Sequence, residues 1–287
     1  MKIIDKMHQV TKIFADSGFE EARTDARELI AFGIGCSTIF VKMNPQFEID
    51  EKSEIKIDEF VQRRLAFEPV SKIKGYRGFW SLDFKVTQDV LDPRPDSETD
   101  IESVLKYKTD KDARLKILDL GTGSGCLALS LLSEYIHAEA IGVDKSEEAL
   151  KVANENAKLN GLSERFKTIK LDWNEDGWEQ IFEQEKFDIL ISNPPYIRDD
   201  EQLQKEVVLY DPKEALFGGK DGLDPYRIIS PKLPYLLKNE GIAVFEFGIG
   251  QHNEVKSILK QENLHFIEFG TDLGGVLRCI VLQKNEK

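Results

Sequence analysis

Asn193, Pro194, Pro195 and Tyr196 follow one another where an apolar run, residues 187–192, comes to a stop. Two consecutive prolines remove two backbone donors and fix two φ angles, so the chain leaves that run stiffly. The Asn193 side-chain carbonyl and the main-chain carbonyls beside the prolines are acceptors without adjacent donors. Held in place, such acceptors can take both hydrogens of a planar –NH2 group, and Tyr196 offers a ring face to pack on it. An amide or aromatic amine nitrogen is a poor nucleophile because its lone pair is delocalised. Hydrogen bonds from its own hydrogens push density back onto nitrogen and orient the lone pair. Orientation of this kind can contribute ~7–11 kcal/mol to attack on an electrophile.

A second group of residues indicates which electrophile. "DLGTGSGC", Asp119 to Cys126, leaves another apolar run, and Gly121, Gly123 and Gly125 allow a tight turn and close approach of a ligand to the backbone. A dinucleotide fingerprint would need a third glycine at 126, where Cys126 stands, which counts against a nicotinamide cofactor. Asp144 lies about 20 positions beyond the turn, where a carboxylate can accept from both hydroxyls of a ribose. Asp172 and Trp173 end a third run, and a carboxylate beside an indole suits the amino group and flat face of adenine. Asp144 could equally cap the helix starting at Ser146, and Asp172 and Trp173 could form a surface turn. Taken together the three groups favour an adenosine-bearing methyl donor, S-adenosylmethionine. Its sulfonium methyl needs no obligate general base, since the nitrogen becomes acidic once the new bond forms.

The elements that must position these residues alternate. From about residue 115 onward, the short apolar runs 115–120, 139–144, 166–171, 187–192 and 241–247 are separated mostly by helical patterns. This implies an α/β fold with a mostly parallel sheet covered on both faces. A last strand near the C-terminus, "VLRCIVLQ", reads as antiparallel. Trp80, Leu82, Phe84 and Val86 alternate with polar residues, which predicts strand structure in a β-hairpin. Asp96 or Ser97 is placed to cap the helix that follows. Residues 1 to about 70 read as a helical bundle. Ile3, Met7, Val10 and Phe14 recur at helical spacing, as do Ala22, Ala26, Leu29 and Ile30, and residues 50–69 supply another helix ended by Pro69. The expected division is a helical docking domain over 1–70, a hairpin linker over 71–92, and the α/β domain over 93–287.

Composition narrows the partners. With 39 Lys and Arg against 52 Asp and Glu, the formal net charge is −13, which weighs against a dedicated duplex-DNA binder. The three cysteines and four histidines are scattered, giving no disulfide framework and no metal site. The N-terminus lacks a signal-peptide core and no run is long enough to span a membrane, so a cytoplasmic protein is expected.

"ILDLGTGSGCLAL", "VDKS", "LDW" and "SNPPYI" together resemble a class I, Rossmann-like S-adenosylmethionine-dependent methyltransferase, and match the PrmC/HemK family. "EPVSKIKGYRGFWSLDFKVTQDVL", "PRPDSE" and "DPKEALFGGKDGLDPYRII" resemble further segments of that family, so the resemblance covers nearly the whole chain. It implies a seven-stranded sheet preceded by a helical domain, and methyl transfer to the side-chain amide N5 of the glutamine in the GGQ motif of peptide-chain release factors. It implies S-adenosylmethionine as cofactor and S-adenosylhomocysteine as product. The cofactor loop falls on Gly121, Thr122, Gly123, Ser124 and Gly125, the ribose acid on Asp144, and the adenine-side residue on Trp173, with Asp172 beside it from the reading of the strand end. Asn193, Pro194, Pro195 and Tyr196 form the substrate clamp, with Asn193 also beside the cofactor. No metal is implied, and a monomer is expected when free. Three positions depart from the family pattern: Asp92 for an aliphatic residue, Ser97 for Thr, and Asp211 for Glu. Competing readings are a glutamine methyltransferase for a ribosomal protein and an adenine-N6 nucleic-acid methyltransferase, since adenine N6 is also a conjugated –NH2. Further alternatives are a non-catalytic cofactor-binding subunit and, last, a nicotinamide oxidoreductase.

Overall fold

The structure, a computed structural model, describes residues 1–286. It divides into two units, the first comprising Met1–Tyr76 together with Leu203–Tyr210.

The first unit is built from α1 (Ile3–Asp16), α2 (Ala22–Ile34), α3 (Thr38–Met43), α4 (Glu51–Leu65) and α5 (Val70–Lys74). The spacing that predicts α1 and α2 is the spacing that is buried: Ile3, Val10 and Phe14 on one, Ala26, Leu29 and Ile30 on the other. α2 ends at Gly35 in the left-handed region, φ +77°, as expected of a glycine at this position. α4 is capped by Asp50, whose carboxylate accepts from the Ser53 N–H. The two short helices α3 and α5 have no sequence periodicity long enough to read. Arg64 organises one end of the unit. Its guanidinium stacks 4.2 Å from the Phe19 ring centroid and donates to Asp25 at 2.8 Å and to Glu206 at 2.9 Å. Glu206 belongs to Leu203–Tyr210, which no sequence signal linked to the helices. That segment is also held by Lys72, which donates to the Tyr210 carbonyl, and by the Tyr210 hydroxyl on the Ala66 carbonyl.

The second unit holds the rest of the chain. It begins at Arg77, inside a hairpin whose strands β1 (Tyr76–Phe79) and β2 (Leu82–Lys85) turn at Trp80 and Ser81. Trp80 was expected in a strand; it instead takes φ +54°, a costly conformation for a bulky residue. Tertiary bonds hold it there: its N–H donates to Glu98 at 2.7 Å and its indole to Glu134 at 2.8 Å. After α6 (Glu98–Tyr107) come β3 (Lys116–Leu120), α7 (Cys126–Glu134), β4 (Glu139–Asp144), α8 (Glu147–Leu159), β5 (Phe166–Lys170) and β6 (Phe187–Ser192). β7 (Leu237–Glu246), β8 (Leu264–Thr271) and β9 (Leu277–Lys284) complete a seven-stranded sheet of order β5-β4-β3-β6-β7-β9-β8. The pairings from β5 through to β7 are parallel, and β9 lies antiparallel between β7 and β8.

Alternation within the central strands separates two cores. Ile117, Ile189, Ile191, Ile242 and Val244 face one apolar cluster, while Leu118, Leu120, Leu190, Ala243 and Phe245 face the other. β8 was not read from the sequence, because bulges at Phe266/Glu268 and Gly270/Thr271 break its period of two. β3 pairs with β4 on one side and β6 on the other, so the strand order reverses there, where open α/β sheets place their ligands. Among the described residues no helix is long and apolar enough to cross a membrane.

α2 and α4 pack closely because Gly33 lacks a side chain; a Cβ there would lie 2.4 Å from Ile57 Cγ1. Ile57 is fully buried and cannot retreat. Gly33→Ala should therefore lose up to about 2 kcal/mol, overpacking of ~1–3 kcal/mol outweighing the ~1 kcal/mol gained in helix propensity. Urea denaturation checks the sign, which a purely local propensity effect would reverse.

Candidate active site

The carboxyl ends of β3, β4 and β6 open on a cavity of about 460 Å³, a size suited to a small-molecule ligand. Gly121, Thr122, Gly123, Ser124, Asp144, Asp172, Trp173, Asn193 and Pro195 lie on its wall. Gly125, Pro194 and Tyr196 are not among the lining residues.

The glycine turn is bound to the neighbouring strand. The N–H groups of Gly121 and Thr122 both donate to the Val143 carbonyl, at 2.9 and 2.8 Å. Gly123 has φ +53° and nothing within 4 Å of where a Cβ would stand, so its backbone is bare toward the cavity. Asp144 takes one backbone donor on each oxygen, Gly123 at 3.0 Å and Ser146 at 2.9 Å. It therefore serves the local turn as well, and each oxygen keeps a lone pair for a further donor. Ser146, not Asp144, caps α8, accepting from the Ala149 N–H at 3.1 Å. The Trp173 indole lies against the turn, 3.0 Å from the position of a Gly121 Cβ. Asp172 Oδ1 accepts from the backbone and side chain of Asn174. A bare backbone turn, a carboxylate with spare lone pairs and an indole on one cavity wall fit a nucleoside-bearing cofactor.

On the opposite side, the Ser192 hydroxyl donates to the Leu120 carbonyl at 2.7 Å and ties the exit of β6 to that of β3. Asn193 then donates its Nδ2 to Ser97 Oγ at 3.2 Å. Its Oδ1 accepts from no donor among the described residues. Ser97 was expected as a helix cap; it makes no capping bond, because its hydroxyl is turned to Asn193. Tyr196 also differs from the expectation of a ring facing the cavity. Its hydroxyl donates to Glu246 Oε1 at 3.2 Å and its carbonyl accepts from Gln251 at 2.9 Å, while burial pushes its phenol above the ordinary range. The segment is closed by glycines: a Cβ at Gly218 would lie 2.3 Å from the Pro195 carbonyl oxygen.

Several supporting residues escaped sequence reasoning. Asn156, fully buried on α8, donates to the Ser124 carbonyl at 2.8 Å and accepts from the Lys85 N–H at 2.6 Å, joining the glycine turn to the hairpin. Gly142 leaves room for Thr122, whose Oγ1 would be 2.7 Å from a Cβ there. Two of the departures have ionic partners: Asp92 accepts from Arg77 at 3.0 Å and Asp211 from Arg94 at 2.9 Å. Only a three-dimensional neighbour explains any of these.

Fold and site together define a class I methyltransferase. Residues 111–264 match the family model of a methyltransferase domain, and residues 5–75 that of the PrmC N-terminal domain. The chain belongs to the release factor glutamine methyltransferase family. It is 39% identical over 270 residues to the release factor glutamine methyltransferase of Rhodospirillum rubrum, covering 93% of this chain and 81% of that protein. To the same-named protein of Agrobacterium fabrum it is 37% identical, covering 93% and 92%. A methyltransferase structure from Pyrococcus furiosus shares the fold, with a TM-score of 0.53 at 16% identity, over 78% of this chain and 98% of that one.

Asp119 beneath the turn is buried and accepts from Thr122 Oγ1 at 2.7 Å. Burial raises its carboxyl to about 7. The fold prefers the protonated acid, so this group's stabilisation is complete below its unfolded value of ~3.9 and is lost as pH rises through 7. In calorimetry, the thermal midpoint of Asp119→Asn should fall less between pH 5 and pH 8 than the parent's. Parallel curves would remove Asp119 from the account.

Proposed function

We propose that this protein transfers the methyl group of S-adenosylmethionine to the side-chain amide nitrogen of the glutamine in the GGQ motif of peptide-chain release factors. The observation that carries the proposal is Asn193, whose amide is anchored through Nδ2 and whose Oδ1 is left without a protein donor on the cavity wall. The likeness to release factor glutamine methyltransferases over 93% of the chain selects glutamine over adenine as the owner of the nitrogen.

The backbone of Gly121 to Gly125, Asp144, Asp172 and Trp173 would hold the cofactor, with Asp144 accepting from the ribose. Bound there, S-adenosylmethionine supplies a methyl on a positively charged sulfur. Asn193 Oδ1 and the Pro194 carbonyl accept the two hydrogens of the substrate amide, raising electron density on nitrogen and aiming its lone pair. Pro194 and Pro195 keep those acceptors from relaxing. Tyr196 holds the turn from beneath through Glu246 and Gln251, in place of the stacking role its ring suggested. The helical unit is the release-factor docking domain, and the reaction takes place in the cytoplasm, where release factors act.

Asp144→Ala should weaken S-adenosylmethionine binding by about 1–3 kcal/mol, the cost of leaving buried hydroxyls short of an acceptor; titration calorimetry showing parental affinity would remove Asp144 from the site. Asn193→Ala should keep the fold and cofactor affinity while turnover falls ~10²–10³-fold. Asn193→Asp retains an acceptor but adds a charge near the sulfonium, and should fall between parent and Ala variant with altered cofactor affinity. With a labelled cofactor, methyl appearing in nucleic acid and not in a GGQ-containing release factor would promote the adenine reading.

A further inference from the structure

Two carboxyl groups lie buried behind the clamp. Asp100, in the first turn of α6, is 0% exposed, and Glu246, the last residue of β7, is 2% exposed. They face one another within hydrogen-bonding reach, and a second neighbour of Asp100 is the Cys279 thiol, a weak donor. No N–H or O–H from the described residues reaches either oxygen of Asp100, nor Oε2 of Glu246. Glu246 Oε1, by contrast, accepts from the Tyr196 hydroxyl at 3.2 Å, and the Ser97 hydroxyl lies near enough to the same carboxylate to favour its charged form.

Two facing carboxylates hold only acceptors between them, so a stable contact requires a proton. We infer that Asp100 and Glu246 share one proton, carried on Asp100, and that the charge left on Glu246 positions the clamp, Tyr196 directly and Asn193 through Ser97. The inference rests on the reading of Asn193 as the substrate acceptor.

The surroundings agree. Burial, then the facing Glu246 charge, raises the Asp100 carboxyl well above the usual range. Burial raises Glu246 as well, opposed by the hydroxyls of Ser97 and Tyr196 and by Asp100. Charged groups acting on the pair include Asp96 beside Glu246 and Asp119 beside Asp100, both of which disfavour a second negative charge. Arg94 and Arg278 act on Tyr196; Arg94 is paired to Asp211, and Arg278 to Asp96 and Asp272. The Tyr226 hydroxyl is committed to the Glu246 main-chain carbonyl at 2.7 Å.

The direction of the relay matters. A charged Glu246 takes the Ser97 proton, leaving Ser97 Oγ as an acceptor for Asn193 Nδ2, and Oδ1 is turned toward the cavity. A neutral Glu246 could donate to Ser97, whose hydroxyl would then be free to donate to Asn193 Oδ1 and consume the acceptor the reaction needs. Asp100 prevents this by holding the proton.

Asp100→Asn supplies a permanent N–H to Glu246 and preserves the charge, whereas Glu246→Gln moves the charge to Asp100, away from the relay. With a GGQ-containing release factor and S-adenosylmethionine, Glu246→Gln and Ser97→Ala should each lower kcat about 10- to 100-fold, as expected for loss of a group that orients a contacting residue. Asp100→Asn should cost much less, Ser97→Thr should restore the relay, and cofactor affinity should stay parental in all four. Infrared spectra at about pH 8.5, above the Asp119 titration near 7, should show a protonated-carboxyl band in the parent that is missing from both Asp100→Asn and Glu246→Gln. Equal losses of kcat in those two variants would overturn the positioning role, as would loss of cofactor affinity with turnover. The absence of the band from the parent, or its persistence in both variants, would overturn the shared proton. The Asn193 side-chain amide protons, followed by nuclear magnetic resonance, should exchange faster in Ser97→Ala, and unchanged exchange would also sink the relay. A parent that methylates no glutamine would fail the proposed function alone, while the infrared and exchange arms still decide this inference.

Discussion

The hydrogen bond from Asn193 Nδ2 to Ser97 Oγ, at 3.2 Å, decides which end of the Asn193 amide meets the cavity. An asparagine is nearly symmetric in shape and opposite in chemistry at its two ends, so its orientation has to come from its partners. Ser97 is such a partner because its hydroxyl makes no capping bond at the start of α6 and is left to accept from Asn193. The exits of β3 and β6 are fixed to each other by Ser192, which brings the amide and the glycine turn to one cavity. In the proposed reaction, methyl donor and acceptor nitrogen meet because two parallel strands end side by side.

The site is bought with buried polar groups. Asp100, Asp119 and Glu246 are all nearly inaccessible, and burying a carboxylate is unfavourable unless it is neutralised or well bonded. The structure uses both remedies. Asp119 is raised to about 7 and accepts from Thr122, whereas Asp144, half-buried and also raised by burial, is offset by a backbone donor on each oxygen. Two carboxylates at neighbouring strand ends thus take different parts: one braces the turn from below, the other offers lone pairs to the cavity.

The helical unit obeys a simpler rule. Its apolar stripes account for most of its core, and the Arg64 network adds the stretch Leu203–Tyr210 to it. That stretch begins shortly after the Asn-Pro-Pro-Tyr segment, so the chain leaving the proposed substrate clamp also supplies part of the helical unit. A domain boundary drawn at one point along the sequence therefore misses one of its members.

Periodicity and composition by themselves determined the layered plan. Apolar runs with helical crossovers require a covered parallel sheet, and the 3.6-residue recurrence of Ile3, Val10 and Phe14 requires a helix with one buried face. The candidate site residues stood out for a related reason: a strand exit with three glycines or two prolines in a row constrains its backbone in a way loops rarely do. Orientation was not legible. That Tyr196 turns inward, that Ser97 serves Asn193 and not its own helix, and that Trp80 tolerates a positive φ all depend on partners many residues away. β8 was missed because bulges destroyed the period from which strands are read. Local sequence sets what a segment can do; hydrogen-bond partners distant in sequence choose among those options, and only the folded chain brings them together.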